Sequence, residues 1–386
     1  MEGTPGDSVE IIDSVVASMR LRPGMYLGRL GQKGIAEMMH GLLRCLVSPD
    51  ATTPDNITVA MVAANTITVM VEAYEWPDLL MECVSDFDKV VKHPWSWLYF
   101  IAPFVYSTES QLSINSNGVT HQFEFRDGIL DLTQQLPLTE GSATSLSMRF
   151  TLDSKILKGA PSFDYLEKEV SIFALLHRNC KLFVRDTMKE YLQQRFYHYP
   201  EGVMACFDSL VAERSIGHTY FSLFVDEPIN GRVYQVCLTY ANYWQYPQPD
   251  IYLFADGKPT EEGSALLNGI IKGLRKACKE YIVAKGDITA KIPHALLYRG
   301  LVLVANVAGG GDYNFEGASR GRLALPDVEK TIKKKIYDMA KNHIANCHED
   351  ATELVSRFSS EIWTKSILAD LEEQTKSIKE REGREG

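Results

Sequence analysis

The chain has 386 residues and a mass of 43.4 kDa, which is long enough for two or three domains of ~100–200 residues each. Hydrophobic residues make up 45% and charged residues 23%, which is ordinary for a globular protein. No stretch approaches the ~18 apolar residues of a membrane span, and the acidic N-terminus contains no secretory signal. We therefore expect a cytoplasmic protein. The net charge of −10 argues against a protein that coats nucleic acid through its overall charge, although a local basic groove is compatible with it.

The cysteines predict neither a disulfide framework nor a metal centre. Seven of them are scattered along the chain without a Cys-x-x-Cys pair, as is usual for reduced thiols. Cys347, His348 and the nearby His343 have no second cluster that would complete four zinc ligands.

The first half of the chain reads as helices followed by an antiparallel sheet. Apolar spacing predicts a helix over Asp7–Leu21 and a second helix over Ile35–Leu46. Strands are predicted at Ile57–Ala63 and Thr66–Ala73, and further strands between Leu112 and Leu152 are joined by turns at Asn117-Gly118 and Asp127-Gly128. A helix over Phe163–Arg178 and a strand over Cys180–Val184 follow. The polar stretch Glu190–Gly202 is interpreted as a domain boundary.

The second half reads as a helix, several strands and two long helices. The predicted elements are strands at Tyr220–Val225, Val233–Tyr240, Ile251–Phe254 and Gly300–Val307, a turn at Asn230-Gly231, and helices over Ser264–Tyr281 and Pro326–Ala345. The charged tail, residues 365–386, is predicted to be a frayed helix. This order favours an α+β fold in two layers.

Several landmarks occur together and in order. The segment Arg22-Pro23-Gly24-Met25-Tyr26-Leu27-Gly28 closely resembles the RPGMYIG segment of the gyrase B and topoisomerase IV B subunits. Ser162–Tyr165, Glu262–Ser264, Arg299–Leu301 and Phe315–Leu323 are collinear with weaker motifs of that family. The resemblance, from about residue 8 to about residue 360, implies a GHKL-type (Bergerat) two-layer sandwich over 1–202, then a transducer domain of ribosomal-protein-S5-like fold over 203–364.

The resemblance does not extend to the nucleotide-binding groups. The family carries a Glu that activates water and an Asn that holds Mg²⁺ one helical turn apart, and these positions fall on Gly41 and Cys45. Neither residue provides the oxygen that a base or a Mg²⁺ ligand needs. The family's Asp-x-Gly-x-Gly motif is replaced around Glu72, which is the remaining candidate for a hydrogen bond to adenine.

The region that should contain the phosphate loop has no glycine. None occurs between Gly41 and Gly118, although a phosphate loop needs bare backbone N–H groups. The bulky run Trp95–Ile101 stands there instead, and we interpret it as a helix that fills the pocket or packs over it. Because base, metal ligand and phosphate loop are all missing, we expect no cofactor. ATP with Mg²⁺ is the less favoured alternative.

Basic residues of the second half are candidates for other contacts. Arg320 falls where the family's transducer lysine reaches the γ-phosphate, so it is either a phosphate ligand or a surface charge. Lys272, Arg275, Lys276 and Lys279 recur at helical spacing on one long helix, and Arg322 lies near Lys330 and Lys333–Lys335, which crowd another helix. These residues are candidates for weak, non-specific contact with duplex DNA or, equally, a solvated face.

Other features of the sequence indicate structural roles. Asp86-Phe87-Asp88 is interpreted as a solvated helix start rather than a metal site, and His40 as a packing residue. The loop Gly309–Asp312 lacks the Lys-Ser/Thr of a P-loop.

Three hypotheses follow. The first is a gyrase-B-like pseudo-ATPase that binds a protein partner, as a mimic, decoy or modulator of a type II topoisomerase or as the partner of a toxin or effector. The second is a nucleotide- or ligand-gated DNA clamp, and the third is a dimerisation scaffold. No segment resembles the family's cleavage module, so we expect no topoisomerase activity from this chain alone, and fold by itself does not transfer activity. A homodimer is compatible with all three.

Overall fold

The computed structural model describes residues 14–47, 54, 56–73, 84–92, 96–116, 118–138, 144–189, 192–214, 221–242, 245–261, 263–284, 292–309, 313–316, 321–347 and 354, with the backbone alone for 90–92, 96 and 97. The chain divides into two compact units, Met1–Gly202 and Val203–Gly386. No described helix is long and apolar enough to cross a membrane.

The first unit combines short and long helices with one large sheet. Its helices are α1 (Val15–Leu21), α2 (Pro23–Leu27), α3 (Gln32–Leu46), α4 (Ser96–Val105), α5 (Ser154–Leu157) and α6 (Phe163–Leu176), with a 3₁₀ helix at Phe87–Lys92. Its strands are β1 (Asn56–Ala63), β2 (Thr66–Glu72), β3 (Ser107–Ser116), β4 (Val119–Arg126), β5 (Ile129–Pro137), β6 (Ser145–Leu152), β7 (Lys181–Asp186) and β8 (Gln193–Tyr197).

These strands form an eight-stranded sheet in the order β5-β4-β3-β6-β2-β1-β7-β8. Neighbours are antiparallel except β1 and β7, which run parallel with Asn56 beside Lys181. A parallel pair needs a long crossover, and the chain between β1 and β7 contains strands β2 to β6 as well as α4 and α6. The sheet is therefore mixed, with its parallel pair near one edge.

The core of the first unit lies between the sheet and its helices. Alternate residues of β2, Ile67, Val69 and Val71, are completely buried, whereas the intervening Met70 is 37% exposed. Helix α3 is almost entirely apolar on its buried side, and its buried residues are Gly34, Ile35, Ala36, Met38, Met39, His40, Gly41, Leu42, Leu43 and Leu46. This burial, more than helix propensity, stabilises α3 between the sheet and its neighbouring helices.

Tight turns connect the predicted hairpins. Asp127 and Gly128 both have positive φ, 51° and 79°, as a two-residue type I′ turn requires. Asn230 and Gly231 repeat this geometry at 52° and 79°. Gly118 has φ 76°, while Asn117 lies outside the described residues. The predicted turns at 127–128 and 230–231 are confirmed.

The second unit has one five-stranded sheet. Its helices are α7 (Val203–Glu213), α8 (Ala265–Ala284) and α9 (Pro326–Asn346), with a 3₁₀ helix at His294–Tyr298. Its strands are β9 (Ser222–Ile229), β10 (Arg232–Tyr240), β11 (Asp250–Ala255), β12 (Lys258–Pro259), β13 (Leu301–Ala308), β14 (Phe315–Glu316) and β15 (Arg322–Leu323). The sheet order is β12-β11-β13-β10-β9, with β11 parallel to β13, and β14 pairs with β15 separately.

Helices α8 and α9 pack closely because two glycines of α8 face α9. A Cβ on Gly269 would lie 2.6 Å from the Glu329 carbonyl oxygen, and one on Gly273 would lie 2.6 Å from that of Lys333. Bare glycine backbones therefore let the two helices approach to near main-chain contact.

The elements follow the predicted order, with informative differences at their ends. The two units divide between Gly202 and Val203, at the end of the stretch interpreted as a domain boundary, whereas residues 193–197 within that stretch form β8, an edge strand of the first sheet. Strand β9 continues through Pro228, which an edge strand tolerates because its missing N–H faces no partner. The N-terminal part of the predicted first helix, before Ser14, lies outside the described residues.

Candidate functional site

The helix predicted to carry the catalytic pair is covered by α4 at Gly41. A Cβ built on Gly41 would lie 2.2 Å, 2.4 Å and 2.8 Å from the Cδ1, Cγ and Cβ atoms of Tyr99. Ordinary carbon contacts are ~3.5–4.0 Å, so the Tyr99 ring occupies the space that any larger side chain would need. No glutamate fits at this position in the observed packing.

The second position of the pair, Cys45, is bound into the same helix contact. Cys45 packs against the hydrophobic core and forms a hydrogen bond with the backbone of Phe100, on α4. Burial raises the pKa of its thiol to about 12, against a smaller opposing effect of the Arg44 charge. The thiol is therefore uncharged near neutral pH, and a neutral sulfur is a poor ligand for a hard cation such as Mg²⁺.

The bulky run predicted to form a helix does so, and its central residues are buried. Phe100 is 1% exposed, and Ile101, Phe104 and Val105 are completely buried. Phe104 joins a cluster in which the rings of Phe87 and Phe125 stack 5.1 Å apart. Trp95 and the side chain of Trp97, which were expected to share this role, lie outside the described residues.

Glu72 lies on the exposed side of the sheet. It is the last residue of β2, and its neighbour Val71 is completely buried, so the two side chains point to opposite faces. The Glu72 carboxylate accepts a hydrogen bond of 2.9 Å from the side-chain amide of Asn56, the residue opposite on β1. Within the described residues it is thus engaged with the sheet, and Ala73 after it takes the left-handed backbone with φ 54°.

Two histidines lie where α3 meets α6, the buried His40 on α3 and the half-buried His177 at the C-terminal end of α6. His40 is 2% exposed, its ring meets Phe173 edge-on at 5.9 Å, and its Nδ1 lies 3.3 Å from a carboxylate oxygen of Glu169. The His177 ring stacks on the ring of Phe173 with 4.0 Å between the ring centres. Burial first, and then the charges of His40 and Arg44, lower the pKa of His177 to about 4. His40 packs in the core as predicted, but neither of its ring nitrogens makes a hydrogen bond among the described residues.

An open cleft of about 640 Å³ lies at a different place in the first unit. The rings of Phe87 and Phe125 line it, and its polar rim includes Arg20 and Asp88. Asp88 accepts a hydrogen bond of 2.8 Å from the backbone N–H of Val15 and so caps α1. The acidic segment predicted to start a helix is confirmed in that role, because the 3₁₀ helix begins at Phe87.

Arg20, which the sequence did not single out, ties α1 to the sheet. Its guanidinium donates to the carbonyl oxygens of Val105 at 2.7 Å and Ser107 at 3.1 Å, and it pairs with Asp127 at 2.9 Å. Just beyond α1, the Tyr26 hydroxyl lies 2.9 Å from that of Ser18. The RPGMY segment is thus anchored by contacts to α1, and no periodic pattern in the sequence could have indicated Arg20.

The predicted basic residues of α8 divide into two pairs. Lys272 pairs with Glu329 of α9 at 2.6 Å, and Lys276 lies 3.8 Å from Glu280 with its ammonium 4.1 Å from the Tyr337 ring centre. Arg275 and Lys279 are exposed and pair with no acidic side chain among the described residues.

The predictions for Arg322 and Arg320 can be compared with the structure only at Arg322. Arg322 pairs with Glu316 across β14 and β15 at 3.0 Å, so its charge is matched. Arg320 lies outside the described residues.

Comparison with known proteins places the chain near one family. No family model matches the sequence. Over 382 residues it is 21% identical to the DNA gyrase B subunit of Streptococcus pyogenes serotype M3, and over 357 residues it is 22% identical to that of Borreliella burgdorferi. These alignments cover 92% and 86% of this chain but only 58% and 55% of the relatives, so the chain spans little more than half their length.

Solved structures agree over nearly the whole chain. The gyrase B subunit of Myxococcus xanthus superposes with a TM-score of 0.75 at 18% identity, covering 89% of this chain and 99% of that one. The 43K ATPase domain of Thermus thermophilus gyrase B, solved with an aminocoumarin, gives 0.70 at 16% identity over 93% and 98%. The fold is therefore the GHKL-type sandwich with a following transducer domain that the sequence predicted.

Proposed function

We propose that this gyrase-B-like chain is a pseudo-ATPase, which keeps the fold of an ATPase-plus-transducer fragment and acts by binding a protein partner. The observation that carries the proposal is the contact of Tyr99 with Gly41. A catalytic glutamate at position 41 would overlap the Tyr99 ring, and removing a general base typically costs ~10²–10⁴-fold in rate.

Two further observations support the same proposal. Cys45 offers a neutral thiol where a Mg²⁺ site needs oxygen, and it is held by the backbone of Phe100. Glu72, the candidate for adenine recognition, bonds to Asn56 on the exposed face of the sheet. Metal binding, proton abstraction and base recognition would each need a rearrangement. No cofactor is therefore assigned to the chain.

Calorimetric titration tests the proposal directly. Purified protein is titrated with Mg²⁺ and a non-hydrolysable ATP analogue, and the Thermus thermophilus 43K ATPase domain serves as the positive control. We expect no binding heat up to about 1 mM ligand, which corresponds to a binding free energy weaker than about −4 kcal/mol. Binding with micromolar affinity would overturn the pseudo-ATPase proposal and favour a nucleotide-gated clamp that uses Glu72 and Arg320.

The partner proposal has its own test. The relatives are named as subunits, which supports a topoisomerase subunit as the first partner to try, with a toxin or separate effector as the alternatives. Size-exclusion chromatography of this chain mixed with purified type II topoisomerase subunits would show a stable complex as a shifted peak. If no complex forms and the supercoiling activity of the topoisomerase does not change, the roles as a mimic or a modulator of that enzyme are excluded.

Weak DNA binding is a second candidate function, supported by the exposed Arg275 and Lys279 on α8. Each phosphate contact contributes about −0.9 to the slope of log K against log salt. Replacing both residues by glutamine should therefore reduce that slope by about 2 for duplex DNA. The matched control replaces Lys272 and Lys276, which pair with acids, and should change the slope less. Equal effects of the two pairs would contradict this assignment.

A further inference from the structure

Among the described residues, β4 is the one strand that pairs with the edge strand β5. Eight of the nine residues of β5 are exposed, the exception being the half-buried Leu130. Three apolar side chains stand out on it, because Ile129 is 68% exposed, Leu132 39% and Leu136 43%. Such a strand presents unpaired N–H and C=O groups to any second strand that reaches it.

Among the residues that the structure describes, most devices that protect an edge strand are missing. Natural edges are blunted by lysines, inward-pointing charges, prolines, β-bulges or covering elements, and β5 has a bulge near its start and a terminal proline. The sequence Ile-Leu-Asp-Leu-Thr-Gln-Gln-Leu-Pro carries one charge, Asp131, and its proline stands at the last position. The irregularity in the pairing with β4 falls at Asp131, so the stretch from Leu132 to Pro137 is regular.

The pairing with β4 fixes which way the side chains point. Phe123 is buried under the helices and lies opposite Thr133, whereas Gln122 lies opposite Gln134. Side chains alternate along a strand, so Leu132, Gln134 and Leu136 share the face away from the helices. The two exposed leucines therefore flank Gln134 symmetrically on one face.

We propose that β5 pairs antiparallel with β5 of a second copy of this chain, with Gln134 on the two-fold axis. In this register Leu132 lies opposite Leu136 of the second copy, twice by symmetry, and Gln134 lies opposite itself. Asp131 then faces the uncharged Pro137, so no like charges meet. The two sheets become continuous, and the four exposed leucines are buried in pairs.

Neighbouring registers are less favourable for definite reasons. Centring the pair on Asp131 would place two carboxylates opposite each other. Centring it on Thr133 would place Leu132 opposite Gln134, and centring it on Leu132 would leave Leu136 opposite Gly128. Only the register centred on Gln134 matches both leucines across the axis without opposing charges.

Site-specific disulfide formation tests the register. Residues opposite each other in an antiparallel pair have Cα atoms about 4.5–5.5 Å apart, within the range of a disulfide. Gln134→Cys should therefore give a covalent dimer with diamide, which oxidises the two thiols to one disulfide and takes up their hydrogens. For Thr133→Cys or Gln135→Cys, the identical positions are about 8 Å apart, beyond the bridging limit of about 7 Å.

The controls make every outcome decisive. The unmodified chain shows any cross-linking by its native cysteines, and adding Leu132→Asp to Gln134→Cys should abolish the dimer, because it places a carboxylate opposite Leu136 at each of the two symmetric contacts. We expect most of the Gln134→Cys protein to cross-link and less than about a tenth of the two neighbours. Equal cross-linking of all three variants, or none, would overturn the proposal.

Amide hydrogen exchange of the unmodified chain separates a second copy from other occupants of this edge. Protection of the β5 amides should increase with protein concentration, together with the average mass in sedimentation. Protection that is already complete at low concentration, without dimer, would assign the edge to another segment of the same chain and would also overturn the proposal.

Discussion

Replacing Gly41 by alanine tests the contact on which the interpretation of the closed site depends. The added Cβ would stand 2.2 Å from Cδ1 of Tyr99 and 2.4 Å from its Cγ, atoms of a ring held between α3 and α4. Relief to an ordinary contact requires a shift of more than an ångström. Overpacking of this kind costs about 1–3 kcal/mol, and the severity of the overlap points to the upper end.

Helix propensity acts in the opposite direction. Alanine is more favourable than glycine inside a helix by about 1 kcal/mol. The net effect of Gly41→Ala should therefore be a loss of about 1–2 kcal/mol in the free energy of unfolding. When Tyr99 is first replaced by alanine, the overlaps with Cδ1 and Cγ disappear and only the 2.8 Å contact with the retained Cβ remains, so the same change should be close to neutral. Most of the loss seen with Tyr99 present is thus removed in that background, with a coupling energy of about 1–2 kcal/mol.

Urea unfolding of the four proteins of this double-mutant cycle measures the coupling, and hydrogen exchange of the α3 amides identifies the transition of the first unit. Gly24→Ala is the matched control, because no atom lies within 4 Å of the Cβ that it would add. It should leave stability nearly unchanged or slightly increased. If Gly41→Ala stabilises the protein while Tyr99 is present, the reasoning about the closed site is refuted.

Three other predictions concern buried or anchoring groups of the first unit. The Cys45 thiol, with a pKa of about 12, should resist alkylation at pH 8 until urea unfolds α3, so rapid labelling of the folded chain in peptide mass spectra would be contrary evidence. The pKa of His177 is lowered from 6.5 to about 4, so the folded state takes up a proton at His177 less readily than the unfolded state. The free energy of unfolding should therefore fall by about 2–3 kcal/mol as the pH drops from about 6.5 to about 4. His177→Gln should remove that part of the pH dependence of unfolding, and an unchanged slope would exclude His177 as its source. Arg20→Ala leaves two backbone carbonyls without their charged donor and should lower the free energy of unfolding by about 2–3 kcal/mol, whereas Arg22→Ala at an exposed position should cost less than about 0.5 kcal/mol in the same assay.

Local sequence signals predicted the turns well because their chemistry is local. Type I′ geometry needs positive φ at two successive residues, and Asp127-Gly128 and Asn230-Gly231 are the residue pairs that tolerate it. The strand that crosses residues 193–197 was missed for the converse reason. Three polar residues followed by two aromatic ones show no alternation, and only pairing with β7 at the sheet edge makes them a strand.

At the candidate site too, the sequence indicated some features, and others became clear only from the packing of distant segments. The sequence alone indicated that Gly41 and Cys45 stand where the resembled family has its catalytic pair, and that bulky residues replace a glycine-rich loop. It could not indicate that Tyr99 lies on Gly41, because the two residues are brought together only when α4 packs on α3. Nor could it place Glu72 on the exposed face, since that depends on the strand register.

The sequence by itself determined the order of elements and the turns, because hydrophobic periodicity and glycine-containing turns are properties of short segments. Its likeness to the gyrase B fold rested instead on the Arg22–Gly28 segment and the motifs collinear with it. The tertiary structure alone decided which side chains meet. It placed an aromatic ring against Gly41, matched Lys272 with Glu329, and put β5 at the edge of the described eight-stranded sheet. Contacts between distant segments depend on how the helices and sheets pack, and the sequence of a short segment does not indicate which other segments it will contact.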